Sequence, residues 1–93
     1  MSEQTTRDLH AVPRRTLGTR IRLVRGDYWI GGEGDALQLT GPANTIFAAL
    51  DGLRSVAGVI QLVVTEYDVE PEEVTADVWE FLDDLTGRGI VTW

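Results

Sequence analysis

The first regular pattern of apolar and polar residues along the chain is an alternation with a period of two. It covers residues 19–23, where Arg20 and Arg22 occupy the polar positions, and it predicts a strand with one buried face. A short run of strand-forming residues at 28–30 and a second alternation at 36–39 follow, separated by turn residues. Three short strands joined by tight turns predict an antiparallel meander.

The second half of the chain has apolar residues at helical spacing. A first helix is predicted to start at Gly41-Pro42 and to end at Asp51-Gly52. Ser55 is a candidate N-cap of a second helix, and Pro71 begins a third. The second helix has an apolar stripe made of Val56, Val59, Ile60, Val63, Val64 and Tyr67. The third has a stripe made of Val74, Val78, Phe81, Leu82 and Leu85.

The predicted element order is βββααα, an α+β fold in which a three-stranded antiparallel sheet is followed by three helices. Ninety-three residues provide one domain with one small core. Residues 1–14 are polar and lack periodicity, so they are predicted to form a flexible arm before a domain at 15–93. The segment 1–13 has no apolar core like that of a signal peptide, and no segment approaches membrane-spanning length, so no membrane association is expected.

The chain is acidic overall, and its charge is unevenly distributed. Fifteen acidic residues against eight basic ones give a net charge of −7. Residues 1–25 contain six arginines and two acids, hence +4, whereas residues 26–93 contain two arginines and 13 acids, hence −11. An acidic body repels phosphate backbones, so no nucleic acid is expected as a partner. The arginine-rich segment suits either the attraction of an acidic peptide or a solvated surface.

Residues suited to catalysis or metal binding are scarce. The chain has no cysteine, and its one histidine, His10, lies in the predicted arm, so neither a nucleophile–histidine pair nor a Cys–His metal site is expected. The acids Glu80, Asp83 and Asp84 fit a solvated helix face better than a cation site. The sequence therefore predicts a non-catalytic protein without cofactor or metal. The lack of cysteine also fits the reducing cytoplasm.

Four segments of the second half of the chain resemble the PqqD-like family in their residues, order and spacing. They read LDGLRSV, EYDVEPEEV, ADVWEFLDDL and GIV, at residues 50–56, 66–74, 76–85 and 89–91. The resemblance extends over residues 17–93. It implies a small winged-helix-like fold, in agreement with the βββααα order that the residues themselves predict.

Members of the PqqD-like family are recognition elements (RREs) for the precursors of ribosomally synthesised and post-translationally modified peptides (RiPPs). The resemblance implies that this chain binds the leader of a precursor peptide as an added strand, at the sheet edge beside the third helix. A separate modifying enzyme, such as a radical-SAM protein, a leader peptidase or a cyclase, then acts on the core of the precursor.

The candidate peptide-binding site combines the third predicted strand with the third helix. An exposed strand edge carries unpaired backbone groups that an extended peptide can satisfy, and the helix forms the other wall. The candidate residues are Asp35, Ala36, Leu37, Gln38, Leu39, Asp77, Val78, Trp79, Phe81, Leu82 and Leu85. Trp79 lies one residue off the apolar stripe, and it either walls the groove as an aromatic anchor or only widens the core face.

Two other classes of protein share this pattern. A winged-helix DNA-binding module has a similar element order, but residues 71–86 carry six acids and no Arg or Lys, whereas a DNA-reading helix needs basic residues. A structural subunit that stabilises a partner enzyme cannot be separated from a leader-binding domain by sequence. The product stays open among a lasso peptide, a pyrroloquinoline quinone-type cofactor and a thioether-bridged peptide. The unpaired edge also leaves a homodimer open.

Overall fold

Three antiparallel strands and three helices in the predicted order form the centre of the computed structural model, which describes residues 8–31 and 36–93. The strands are β1 (Arg14–Arg15), β2 (Ile21–Val24), β3 (Asp27–Ile30), β4 (Leu37–Gln38) and β5 (Val91–Thr92). The helices are α1 (Pro42–Ala48), α2 (Val56–Tyr67) and α3 (Pro71–Gly87). The α+β fold class is confirmed, and the short strands β1 and β5 are additions that pair with each other.

The sheet consists of β2, β3 and β4, with β3 in the middle. The turn between β2 and β3 has two central residues, Arg25 and Gly26, with φ of 54° and 87°. Two successive positive φ angles are the geometry of a type I′ turn, whose twist matches that of the flanking strands. This turn fixes the register, which places Ile21 opposite Ile30. The following loop, with the predicted site residue Asp35, lies outside the described residues.

Asn44 of α1 ties the sheet to the helices. The Tyr28 backbone N–H donates to Asn44 Oδ1 over 2.9 Å, and Asn44 Nδ2 donates to Asp27 Oδ1 over 2.8 Å. The Tyr28 ring packs edge-on against Phe47, with 5.0 Å between the ring centroids. These contacts hold α1 against β3, the neighbour of β4. They therefore also position the short link between β4 and α1.

The link between α1 and α2 differs from the prediction. Helix α1 ends at Ala48, three residues before the predicted stop at Asp51-Gly52. The reason is the side chain of Asp51, whose Oδ1 accepts the backbone N–H groups of Leu53 and Arg54 at 2.9 Å each. An aspartate that bonds the backbone two and three residues ahead stabilises a turn in place of a continued helix.

The ends of the other two helices follow the predicted signals. Ser55 caps α2, because its Oγ accepts the Gly58 N–H over 3.2 Å. Helix α3 begins at Pro71 as predicted. After α3 the Gly89 N–H donates to the Thr86 C=O and the Ile90 N–H donates to the Leu85 C=O, the bond pattern of a Schellman motif. Gly89 has a φ of 78°, which explains why glycine follows this helix.

One core lies between the sheet and the helices. Its members are Ile30, Leu39, Ile46, Phe47, Ala49, Leu50, Val56, Val59, Ile60, Val63, Val74, Val78, Trp79, Leu82, Leu85 and Val91. No helix of the described residues is long and apolar enough to span a bilayer. The core draws on all three helices, so the position of α3 relative to the sheet is fixed by packing on both α2 and the strands.

The predicted arm at 1–14 differs from the structure over its last seven residues. The carbonyls of Leu9 and Ala11 accept the N–H groups of Ala57 and Val56, at 3.0 and 2.9 Å. The first N–H groups of a helix have no partner within the helix, and these carbonyls satisfy two of them at the start of α2. Pro13 is buried beside this contact segment. Residues 1–7 of the predicted arm lie outside the described residues.

Arg15 fastens the same N-terminal segment to α1. One guanidinium nitrogen donates to the Phe47 C=O over 2.8 Å, and the guanidinium carbon lies 4.4 Å from the centroid of the Phe47 ring. Arginine over an aromatic face gains a cation–π attraction in addition to the hydrogen bond. This side chain therefore serves packing, in contrast to Arg20 and Arg22, which are exposed.

Candidate functional site

The outer edge of β4 is the first component of the candidate site. The Leu39 N–H donates to the Tyr28 C=O over 2.8 Å, so these two residues form a hydrogen-bonded pair of the antiparallel ladder. Bonded and non-bonded pairs alternate in such a ladder, and the next pair, Trp29 with Gln38, is therefore non-bonded. The backbone N–H and C=O of Gln38 consequently face outward. No strand of residues 8–31 or 36–93 pairs with them.

The side chains of this edge divide between core and solvent. Leu39 is buried, Leu37 is half-buried against the core, and Ala36 is half-buried at the start of the strand. The Gln38 side chain is exposed, and its amide nitrogen lies 3.4 Å from Asp27 Oδ2. Among the predicted edge residues that the structure describes, Leu37 and Leu39 thus anchor the strand in the core. The outward backbone groups of Gln38 face solvent.

One face of α3 forms the second component. Asp77, Phe81 and Arg88 are four and seven residues apart, a spacing that places them on the same side of a helix and its end. Phe81 is half-buried against the core, whereas Asp77 and Arg88 are exposed. One cleft is lined by Arg88 and by Leu37 of β4, and one pocket is lined by Asp77 and by Pro42 at the start of α1. The cleft and the pocket lie at the two ends of the space between β4 and α3.

The first of these spaces, here named the basic cleft, has a volume of about 480 Å³. Its lining residues are Thr19, Arg20, Ile30, Gly31, Leu37, Arg88, Gly89 and Ile90. Its two ionisable side chains are both arginines. It joins the ends of β2, β3 and β4 to the C-terminal end of α3.

The second space, here named the acidic pocket, has a volume of about 130 Å³. Its lining residues are Pro42, Ile46, Val63, Tyr67, Val69, Glu73, Val74, Asp77 and Val78. Its two carboxylates, Glu73 and Asp77, are both exposed and lie on an otherwise largely apolar surface. It joins the start of α1 to the N-terminal half of α3.

Three of the predicted helix residues lie in the core. Val78, Leu82 and Leu85 each have 0% of their surface exposed, so in this structure they support the groove from beneath. Val78 also forms part of the floor of the acidic pocket. The side chains on this side of α3 that a bound peptide can reach are Asp77 and Phe81.

Trp79 is not brought together with β4. It is 4% exposed and stacks on Trp93, with 5.9 Å between the ring centroids and 21° between the ring planes. Trp79 lines a separate cavity of about 390 Å³ with Ala11, Asp83, Thr86 and Trp93. Successive helix residues point about 100° apart, which puts Trp79 on a different side of α3 from Asp77 and Phe81. The interpretation in which Trp79 widens the core face agrees with this geometry.

The sequence interpretation did not assign Arg20, Arg88, Glu73 or Pro42 to the site. The alternation in β2 did place the Arg20 side chain away from the core, and the helix spacing of 7 from Phe81 to Arg88 was available. The sequence does not predict that the C-terminal end of α3 lies close to the ends of the strands, because this proximity depends on tertiary packing.

The described residues offer no metal site: no group of three or more histidine, aspartate or glutamate side chains is close enough to hold an ion. The Asp51 carboxyl owes its lowered pKa first to the N–H groups of Leu53 and Arg54, and it lies in the turn between α1 and α2. The groove therefore presents backbone donors and acceptors, an aromatic ring and fixed charges, which suit binding.

These features define a class: a small α+β domain whose three-stranded antiparallel sheet keeps one edge open beside a helix. The sequence profile of the family described as "Coenzyme PQQ synthesis protein D (PqqD)" matches residues 17–91. This match covers most of the chain, and the chain therefore belongs to the PqqD family.

The solution NMR structure of the PqqD truncation of Methylobacterium extorquens PqqCD has a similar fold. The TM-score is 0.74 and the sequence identity 23%, over 92% of this chain and 94% of that one. That protein is described as a functional and stand-alone RiPP recognition element (RRE). The curated protein sequences include no match to this chain.

Proposed function

We propose that this protein is a non-catalytic recognition element that binds the leader of a ribosomally synthesised precursor peptide. The leader adds a strand to the outer edge of β4 and lies against the Phe81 face of α3. The observation that carries this proposal is the outward N–H and C=O of Gln38, together with the cleft that joins Leu37 of the same strand to Arg88 at the end of α3. Membership of the PqqD family and the fold shared with a known RRE support it.

The chemistry of strand addition explains how one domain can hold a variable peptide. Main-chain hydrogen bonds provide affinity with little demand on sequence, and pockets for alternate side chains provide selectivity. In this protein the main-chain partner is Gln38. Phe81 offers an aromatic surface, since helix spacing places it on the same side of α3 as Asp77 and Arg88. Leader residues that face the domain thus meet Phe81 at the centre and charges at the two ends.

The bound precursor is then presented to a separate modifying enzyme, a leader peptidase, a cyclase or a radical-SAM protein, in the cytoplasm. The groove of the described residues contains no nucleophile–base pair that could act on the peptide itself. A role in DNA binding has less support, because the solvent face of α3 carries Glu72, Glu80 and Asp84.

The test is a fluorescence-polarisation titration with leader peptides encoded near the gene for this protein. Saturable binding in the micromolar range or tighter is expected. A series of the same leader with single backbone N-methyl groups then locates the contact. In an added strand only every second residue bonds to β4, so N-methylation is expected to weaken binding at alternate positions. Binding that is indifferent to N-methylation at every position contradicts strand addition.

A matched pair of proline variants identifies the edge. Gln38→Pro removes the outward donor of β4. The Gly31 N–H donates to the Arg20 C=O over 2.8 Å, so by the same alternation Leu23 faces outward on β2. Leu23→Pro is therefore the control at the opposite edge. We expect only Gln38→Pro to abolish binding when circular dichroism shows both variants folded; loss with Leu23→Pro instead places the leader on β2.

A further inference from the structure

We propose that the groove selects leaders by the order of their charges, with a basic residue before an acidic one. This inference rests on the proposed leader binding and specifies which leaders are bound. A basic leader side chain occupies the acidic pocket, and an acidic side chain, about five residues later, occupies the basic cleft. The two sites lie at opposite ends of the interval between β4 and α3.

The acidic pocket suits a long basic side chain. Its apolar lining, which includes Pro42, Ile46 and Val74, can cover the methylene stem of a lysine or arginine. Glu73 and Asp77 lie at the same pocket and are exposed, and neither forms an ion pair within the described part of the chain. Long basic side chains commonly bury the stem and leave the charge at the rim.

The basic cleft suits a carboxylate. Arg20 and Arg88 line it, and no acidic side chain of the described residues does. Arg88 Nε contacts Asp84 over 3.1 Å in an exposed pair, whereas Arg20 forms no ion pair among those residues. The two arginine donors therefore retain capacity for a ligand, because an arginine carries five N–H groups in all.

The separation of the two sites sets the spacing of the leader charges. Asp77 and Arg88 are 11 residues apart in α3 and its end, which corresponds to roughly 16 Å along a helix. An extended strand covers that length in about five residues.

The direction of β4 sets the order of the charges. The chain runs from Leu37, at the basic cleft, toward Pro42, at the acidic pocket. The sheet is antiparallel throughout, and antiparallel pairing is slightly more stable per residue than parallel pairing. An antiparallel added strand therefore begins at the acidic pocket and ends at the basic cleft.

The experiment uses a leader that binds in the titration above, prepared in two forms. One form has Lys and then Glu five residues apart across the bound segment, and the other has the two residues interchanged. Composition and net charge are identical. We expect the Lys-first form to bind about tenfold more tightly at low salt, because two exposed pairs are gained and two repulsions avoided. The difference is expected to shrink at high salt.

Charge reversal in the protein provides the second arm. The variant Arg20→Glu/Asp77→Lys is expected to lose most of the Lys-first preference, because Arg88 and Glu73 remain and each site then carries one charge of each sign. The matched control Arg22→Glu/Glu72→Lys makes the same charge changes at exposed residues that line neither site, and it is expected to keep the Lys-first preference. Equal affinity for the two forms, preference of the native protein for the Glu-first form, or an unchanged preference in Arg20→Glu/Asp77→Lys overturns the proposal. Absence of binding by every leader instead overturns the proposed function itself.

Discussion

The two sides of helix α3 differ in what covers them. On one side Trp79 is buried and stacks on Trp93, and the two rings line one cavity together with Ala11. On the other side Phe81 is half-buried against the core, between Asp77 and Arg88, which line the acidic pocket and the basic cleft. In the sequence Phe81 belongs to the apolar stripe of α3, and Trp79 lies one residue off it. The difference shows that an aromatic residue near a helix stripe becomes a binding surface only where the rest of the chain leaves it uncovered.

The largest expected effect is on the closed side. Trp79→Ala removes a ring that is 4% exposed, and we expect a loss of about 3 kcal/mol in the free energy of unfolding. Leader affinity of the folded protein is expected to stay within about twofold, because the ring lies on a different side of α3 from Asp77 and Phe81. Urea unfolding and the polarisation titration measure the two quantities. Trp79→Phe keeps an aromatic ring and serves as the milder variant. A large loss of leader affinity with unchanged unfolding free energy contradicts the assignment of Trp79 to the side of α3 away from the leader.

On the open side, the Phe81 side, we expect a larger effect on leader affinity and a smaller effect on unfolding free energy. Phe81→Ala should weaken leader binding about tenfold, or ~1.4 kcal/mol, since aromatic residues at the centre of an interface commonly contribute this much or more. The loss in unfolding free energy should be smaller than for Trp79→Ala, because Phe81 is only half-buried. The same two assays apply, and Phe81→Leu is the control that keeps an apolar side chain. Unchanged leader affinity in Phe81→Ala would remove this ring from the site.

The sequence predicted the elements well because each carries a local signal. The Ser55 cap and Pro71 depend on residues a few positions apart, and the structure agrees with them. The alternation around Arg22 predicts the strand β2, but the buried face expected for it is wrong, because Leu23 is 61% exposed. The coverage of α3 has no such signal. Trp93 is 14 residues from Trp79, and Ala11 is 68 residues away; the sequence does not reveal that both reach the same side of the helix.

The same limit applies to the N-terminal segment and to the helix residues of the candidate site. The predicted arm ran to residue 14, although Leu9 and Ala11 bond to the start of α2, because a polar segment gives no sign of a long-range backbone contact. Helical spacing groups Val78, Leu82 and Leu85 with Phe81, so the sequence predicts all four at the site. Only their burial in the structure distinguishes these three residues, which lie beneath the groove, from Phe81, which a peptide can contact.

A smaller effect tests whether Trp93 is the cover of the closed side. The Trp93 Nε1–H donates to Thr86 Oγ1 over 3.0 Å, and its ring stacks on Trp79 while 46% of the residue remains exposed. Trp93→Ala is expected to cost about 1 kcal/mol in unfolding free energy, in line with one aromatic pair and partial burial. In a Trp29→Phe background Trp93→Ala leaves Trp79 as the remaining tryptophan, and we expect acrylamide to quench it readily. Weak quenching, as for a ring that is 4% exposed, shows that another segment covers Trp79.

The smallest effect belongs to Asp51, which lies on neither side of α3. Hydrogen bonds from Leu53 and Arg54 hold the pKa of its carboxyl below the ordinary value of 3.8. Because the pKa is lower in the folded state than in the unfolded state, the carboxylate adds stability that is fully present above the unfolded pKa and is lost as the pH falls through the folded pKa. Asp51→Asn keeps a hydrogen-bond acceptor and removes the charge.

This variant is therefore expected to be slightly less stable than the native protein at neutral pH, by an amount that stays constant down to about pH 5 and closes below about pH 4. Urea unfolding of both proteins between neutral and acidic pH measures the gap, and Asp68→Asn, at the left-handed end of α2, is a carboxylate control without these two turn bonds. Leader affinity at neutral pH should be the same in Asp51→Asn and in the native protein. A difference in unfolding free energy that persists unchanged to the lowest pH would assign the effect of Asp51→Asn to geometry and not to charge. A change in leader affinity would connect the turn between α1 and α2 with the open side of α3.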